Sequence, residues 1–302
     1  MLPSYISEIS LPELIERRDK LYELLEACRL CPNECGVNRF ESDNGNCRSG
    51  ILPKVLSAHR HFGEEPPLVG MFGSGTIFFT NCNLDCKYCQ NYDISHQGIG
   101  VEVSIQDLAE MMLDLQNVGC HNINLVTPTH FVPQIVDALI IAREKGLQIP
   151  LVYNCGGYES VETLKLLDKI IDIYMPDIKY SSNENALKYS GVSDYWDVVR
   201  ESVKEMHRQV GDLVINYLGI ARRGLIIRHL VLPNDIAGSK KVLEFIAKEI
   251  SIDSYVNIMD QYRPLYLANR YPELNRSITK KEYMEVINYA RQIGLHLGFE
   301  IE

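Results

Sequence analysis

Nine cysteines are spread unevenly along the 302-residue chain: Cys28, Cys31, Cys35 and Cys47 near its start, Cys82, Cys86 and Cys89 in one tight loop, and Cys120 and Cys155 alone. The tight loop reads Asn81-Cys82-Asn83-Leu84-Asp85-Cys86-Lys87-Tyr88-Cys89-Gln90-Asn91 and follows an apolar, β-type run. Three thiolates this close can wrap one metal centre but leave it one ligand short. A structural zinc site takes four protein ligands, and His96 is the only histidine nearby in sequence. A [4Fe-4S] cluster on three thiolates instead keeps one iron open to an exogenous ligand. The earlier set, Cys-x2-Cys-x3-Cys followed by Cys47, supplies four thiolates and completes the shell of either tetrahedral zinc or a second iron–sulfur cluster. Its spacing does not choose between them, and four unligated thiols remain a third reading. Cys120 and Cys155 read as small buried side chains, since free cysteine is among the most buried residue types.

These groups need a scaffold. After residue 70 short β-branched runs alternate with longer helical patterns, which argues parallel βα units. Strands are predicted at 76–80, 122–127, 150–154, 171–176, 225–232 and 255–259, with helices at 104–118, 131–145, 161–169, 195–210, 239–249 and 279–292. Ser104 with Asp107 gives the second unit a start resembling a capping box. In barrels built from such units the chemistry gathers where the strands end. The polar constellations obey that rule: the cysteine loop, Thr127-Pro128-Thr129-His130, Asn154-Cys155-Gly156-Gly157, Asp177-Ile178-Lys179, Arg228-His229 and Asp260-Gln261 each follow a predicted strand. Asp177 and Lys179 share a face by period-two alternation, to bind the polar parts of a ligand or to close the barrel with a salt bridge. Arg228 and His229 alternate, so only one of them faces the site. Gly73-Ser74-Gly75 reads as a turn, because a strand and not a helix follows it.

The composition bounds the function. The chain is 46% hydrophobic and 23% charged, enough to bury a full core, and its net charge of −10 with no polybasic run argues against a nucleic-acid partner. No run of 18 apolar residues and no secretory leader is present, so a cytoplasmic protein without a membrane span and with reduced thiols is expected.

The Cys82–Cys86–Cys89 loop, with Tyr88 immediately before its third cysteine, resembles the cluster loop of radical S-adenosylmethionine (radical SAM) enzymes. The resemblance implies that these cysteines hold a [4Fe-4S] cluster whose open iron chelates S-adenosylmethionine (SAM). Reductive cleavage then gives a 5′-deoxyadenosyl radical, the electron coming from a donor such as flavodoxin or ferredoxin. It also implies an α/β fold, a partial (β/α)6 barrel over 71–302, carrying a small N-terminal helical and metal-binding extension with four cysteines over 1–70. Within the superfamily the sequence is most similar to the activating-enzyme branch typified by pyruvate formate-lyase activating enzyme. Asp177-Ile178-Lys179 resembles the Asp-x-Lys of that branch, and Arg228 with Val231-Leu232-Pro233 its fifth-strand segment. The implied cofactor-binding residues are Tyr88, Thr127, Thr129, Asn154, Asp177, Lys179 and Arg228. The implied substrate is a glycine Cα in a glycyl-radical enzyme, with another peptide or a small molecule as the alternative. One departure stands out: many members carry Gly-Gly-Glu after the second strand to hold the methionine amino group, whereas this chain has Thr127-Pro128-Thr129.

Overall fold

The computed structural model describes residues 2–299. Its strands are β1 (Lys54–His61), β2 (Ser74–Phe79), β3 (Val101–Glu102), β4 (Ile123–Val126), β5 (Leu151–Cys155), β6 (Ile173–Pro176), β7 (Val214–Ile215), β8 (Ala221–Leu230) and β9 (Tyr255–Met259). They form one nine-stranded sheet. Within it β2, β4, β5, β6, β8 and β9 run parallel in chain order. Strands β1 and β3 extend the β2 edge in antiparallel fashion, and no pairing between that edge and β9 closes the sheet among the described residues. The result is an α/β partial barrel.

The central strands β5 and β6 are buried on both faces, which is why the sequence shows unbroken apolar runs there, whereas β9 at the edge alternates buried and half-buried residues. On the outer face, Ile77, Leu125, Tyr153, Tyr174, Ile227 and Ile258 pack with the helices in the main core. On the inner face, Val152, Ile173, Met175, Ala221 and Ile226 enclose Leu68 in a second apolar cluster. Period-two alternation therefore aims the next inner positions, Asn154, Asp177 and Arg228, into the barrel above that cluster.

The sequence reading placed five of the six parallel strands with small shifts of their ends, and 255–259 without one. Strand β8 starts earlier, at Ala221, because its first residues pair antiparallel with β7; Gly224 within it sits at φ +125° against the Asp212 carbonyl oxygen, where a Cβ would overlap it. Ser74 and Gly75 belong to β2, so only Gly73, at φ +81°, is turn. The helix expected over 161–169 stops at Leu166, and Lys169 turns the chain at φ +66°. Ser104 and Asp107 form a full capping box, with the aspartate in the glutamate's usual role.

Strands β1, β3 and β7 and the helices Tyr92–Ser95 and Asn183–Ser190 had no counterpart in that reading, while the helices Ser4–Ser7, Leu11–Glu23 and Pro66–Val69 lie in the extension over 1–70 that was expected to be helical. The N-terminal residues are tied to the amino ends of the parallel strands. The Ser4 amide donates to Asp172 Oδ1 at 2.7 Å, and the Tyr5 hydroxyl donates to the Ile149 carbonyl at 2.9 Å.

Candidate functional site

At the carboxyl ends of the parallel strands lies a cavity of about 210 Å³ whose wall includes Cys86, Tyr88, Cys89, Asp177, Lys179 and Arg228. A larger hollow of about 580 Å³ lies beside it, between Asp260 and the last helix, but it contains no thiol and none of the charged triad.

The triad is continuous. Asp177 Oδ2 accepts from Lys179 Nζ at 2.6 Å and Oδ1 from Arg228 Nε at 2.8 Å, while Arg228 Nη2 donates to Asn154 Oδ1 at 2.7 Å. Burial opposes ionisation of Asp177, but Arg228 and Lys179 together hold its carboxyl below the usual range. Lys179 and Arg228 both line the cavity, so two cationic donors are available there to a ligand carboxylate. Arg228, rather than His229, is the inward residue of the pair, as alternation required. His229 is buried on the outer side between the Ile178 carbonyl (2.7 Å) and the Ser239 hydroxyl (2.8 Å).

Each thiol of the loop has a donor near its sulfur. The Leu84 amide lies 3.4 Å from Cys82 Sγ, the Ser190 hydroxyl 3.0 Å from Cys86 Sγ, and the Ser95 hydroxyl 3.1 Å from Cys89 Sγ. Burial pushes the Cys82 thiol up to about 12 and the Cys86 thiol up to about 11, the latter opposed by Lys179. The free loop therefore carries protons that a metal centre must displace, while three donors stand ready for the sulfur anions. Among the described residues, no three His, Cys, Asp or Glu side chains are already gathered as ligands of one metal ion. The donor set suits an iron–sulfur centre with three cysteine ligands, and the cavity beside it suits the exogenous fourth. Tyr88 is locked by Tyr180 and Tyr262, with ring centroids 6.3 and 5.8 Å away.

Not every expected contact meets here. Thr129 donates its hydroxyl to Glu159 Oε1 at 2.7 Å, inside a buried network with the Tyr153 hydroxyl, and does not line the cavity; nor does Thr127, which sits at φ +58°. His130 is fully buried, held neutral by burial that pushes it down to about 3, with Nε2 against the Thr80 carbonyl at 2.8 Å. Glu64, Ser95 and Ser190 were missed by sequence reasoning. Glu64 lies 3.6 Å from Arg228 Nη1, and no local pattern marks a residue brought in by the turn after β1.

The N-terminal cysteines stand outside the cavity but against the cluster loop. Asn33 Nδ2, between Cys31 and Cys35, donates to the Asn83 carbonyl at 2.7 Å, and Arg48, next to Cys47, donates to the Ser95 carbonyl at 2.8 Å. Cys28, Cys31 and Cys47 are buried and Cys35 is half-buried. Burial pushes the Cys28 thiol up, and nearby Cys35 and Cys47 add to the rise.

Residues 76–223 match the family model described as "Radical SAM superfamily". An uncharacterized protein of Methanocaldococcus jannaschii, MJ0674, is 31% identical over 300 residues, covering 96% of this chain and 82% of the relative. The chain belongs to the radical SAM superfamily. Enzymes of this superfamily use a [4Fe-4S] cluster and SAM, cleave SAM by a radical mechanism and need a reductant. Among solved structures, HydG, a maturase of the [FeFe]-hydrogenase, has a TM-score of 0.50 at 12% identity, covering 96% of this radical SAM chain and 63% of that one. The enzyme anSMEcpe with bound AdoMet and a peptide has a TM-score of 0.47 at 14% identity, covering 70% of this chain and 56% of that one. The chain thus spans less than two thirds of either solved protein, and the likeness to HydG concerns the fold alone. No helix among the described residues is long and apolar enough to cross a membrane.

Proposed function

We propose that this chain is a cytoplasmic activating enzyme whose radical abstracts a hydrogen from a glycine Cα of a partner glycyl-radical enzyme. The observation that carries the SAM-cleaving part is the junction of two of the loop's thiols, Cys86 and Cys89, with the Asp177–Lys179–Arg228 triad in one cavity. Cys82, Cys86 and Cys89 would hold the [4Fe-4S] cluster, which when bound supplies the single electron that reduces the SAM sulfonium. Lys179 and Arg228 attract the SAM carboxylate, Asp177 fixes both cations, and Asn154 orients Arg228. Tyr88, packed between two tyrosines, walls the cavity against water. Thr127 and Thr129 remain the residues at the place of the missing Gly-Gly-Glu and would touch SAM only after Thr129 releases Glu159. One electron, from a flavodoxin- or ferredoxin-type donor, and one SAM give methionine and a 5′-deoxyadenosyl radical. That radical takes one hydrogen atom, leaving 5′-deoxyadenosine and a glycyl radical.

In this reading residues 71–302 form the radical SAM barrel. Residues 1–70 form the extension whose Cys28, Cys31, Cys35 and Cys47 bind a second metal, zinc or iron–sulfur. Hydrogen bonds from Asn33 to the cluster loop and from Arg48 to Ser95, in the turn of helix that follows it, support a role for that module in bracing the loop.

The test is anaerobic reconstitution with iron and sulfide, reduction with dithionite, and measurement of 5′-deoxyadenosine. Incubation with candidate glycyl-radical enzymes should then give a doublet radical EPR signal. Absence of 5′-deoxyadenosine refutes the chemistry, and its formation with no glycyl radical refutes the activase role. A second reading, hydrogen abstraction from another peptide or a small molecule, is favoured by the unpaired polar groups that lie deeper in the barrel.

A further inference from the structure

Below the charged triad, the inner face of the barrel carries polar groups that the SAM-cleaving site does not use. The turn after β1 delivers Glu64 and Glu65 to this interior. The short helix that follows, Pro66–Val69, then closes the floor: Leu68 packs among Val152, Ile173, Met175 and Ile226, and its carbonyl accepts from Asn122 Nδ2 at 2.9 Å. Above that floor Glu65 is 5% exposed, with Oε1 accepting from Asn257 Nδ2 at 2.9 Å and Oε2 without a partner. Across from it on β4, Asn124 is 0% exposed, and both its Oδ1 and its Nδ2 lack a partner. Ile123 and Leu125 pack in the outer core, so alternation turns Asn124 inward. Glu64 interacts with both Glu65 and the Asn124 amide, so the three side chains lie together. Buried amides and carboxylates are nearly always satisfied in native proteins, so a cluster that leaves Glu65 Oε2 and the Asn124 amide without a close hydrogen bond points to a ligand.

Charge indicates which ligand. Glu64, Glu65 and Asp177 are three carboxylates against two cations, and both cations hold Asp177 at 2.6 and 2.8 Å. Arg228 stands 3.6 Å from Glu64, and no salt bridge reaches Glu65. Burial pushes the Glu64 carboxyl up, and Glu65 and Asp177 push it further, against the opposing pull of Arg228 and Asn124. A buried carboxylate without a cation is costly, so the complement of this site is a compact cation with several N–H donors. A primary ammonium has three donors and no acceptor, matching Glu65 Oε2, Asn124 Oδ1 and Glu64.

We propose that Glu64, Glu65 and Asn124 form the subsite for a primary-amine hydrogen donor, anchoring its ammonium in the barrel floor so that its carbon chain rises toward the Asp177–Lys179–Arg228 cavity. This assignment rests on the radical SAM reading for the identity of the radical, but not for the binding of the amine. It goes beyond the glycine Cα assigned above: the amine is carried by a side chain of the peptide that presents the hydrogen, or is the substrate itself in the second reading.

The experiment is isothermal titration of the reconstituted holoenzyme, with and without SAM, using n-butylamine, n-butanol and butyrate as probes. Butylamine should bind at least tenfold more tightly than butanol, with butyrate weakest. Glu65→Gln should remove at least tenfold of that preference, and Asn124→Asp, which adds a carboxylate, should increase it. The proposal is overturned if butylamine and butanol bind alike, if neither binds because the interior holds water only, or if Glu65→Gln weakens SAM as much as butylamine. Loss of SAM binding by the parent enzyme is a separate result: it sinks the SAM-cleaving reading, while the amine preference is still measured in the arm without SAM.

Discussion

Glu159 gives the sharpest quantitative test of how the strand ends are built. Its carboxyl is buried beneath the rim of the barrel, with Oε1 accepting from Thr129 Oγ1 at 2.7 Å and Oε2 from the Tyr153 hydroxyl at 2.9 Å. Burial pushes it from the ordinary 4.5 up to about 7, against the hydrogen bonds, which pull it down. The folded protein therefore keeps this proton to about pH 7, whereas the unfolded chain releases it near 4.5. Between those values the folded state binds more protons, so stability falls as pH rises, by about 1.4 kcal/mol per pH unit, and levels off above the folded value. The total is about 3 kcal/mol. Glu159→Gln mimics the protonated acid, with one acceptor and one donor end, and cannot ionise. Its stability should match the parent near pH 4.5 and exceed it by up to about 3 kcal/mol at pH 8. Urea unfolding of both proteins, run anaerobically with a thiol reductant across that range, measures the difference. Other raised carboxyls, such as Asp172 at about 6, contribute the same slope to both proteins and cancel. Parallel pH profiles for parent and variant would refute the reasoning, because they would mean that Glu159 is ionised or solvated in the folded protein.

Three further outcomes are expected. Cys86→Ala should reconstitute without the [4Fe-4S] EPR signal and form no 5′-deoxyadenosine, while its far-UV circular dichroism stays that of the parent. Gly157→Ala places a Cβ against the Asp177 carbonyl oxygen at a position with φ +78°, so it should cost about 1–3 kcal/mol in chemical unfolding and weaken SAM binding measurably by shifting Asp177. Replacing Cys28, Cys31, Cys35 and Cys47 together by serine should remove either one zinc or about four irons per chain from the reconstituted protein, by elemental analysis against the parent. An unchanged metal content would eliminate the second site.

The parts of this fold that were legible in the sequence are those governed by short-range pattern. The central parallel strands are buried on both faces and announce themselves as apolar runs, and the caps at Ser104 and Thr279 mark helix starts locally. The cysteine loop and Asp177-Ile178-Lys179 were legible because spacing alone puts their side chains together. What escaped was set by contacts distant in sequence. Strand β1, with its exposed Leu56 and its mixture of basic and apolar residues, owes its pairing to β2, which follows only after the turn that carries Glu64 and Glu65. Ser190 reaches the Cys86 thiol across 104 positions, and no local signal distinguishes it from any other serine near a helix end.

The same distinction explains the placement of charge in the barrel. Strand alternation alone puts Asn154, Asp177 and Arg228 on the inner face, and Arg228 and Lys179 satisfy Asp177 without help from outside the parallel units. That set is closed: one carboxylate with two cations needs only an anionic or zwitterionic ligand above it. Glu64 and Glu65 arrive from a turn outside the parallel units; Glu64, 3.6 Å from Arg228, offsets the triad's surplus positive charge, and Glu65 adds a carboxylate beyond it. A buried carboxylate costs several kcal/mol unless something pays for it. Neither Asn257 nor Asn124 carries charge, and Arg228 is shared three ways. A turn that only sealed the barrel floor could do so with Leu68 and apolar neighbours. Two acids facing an unsatisfied amide are the arrangement expected where the floor also has to hold a cation.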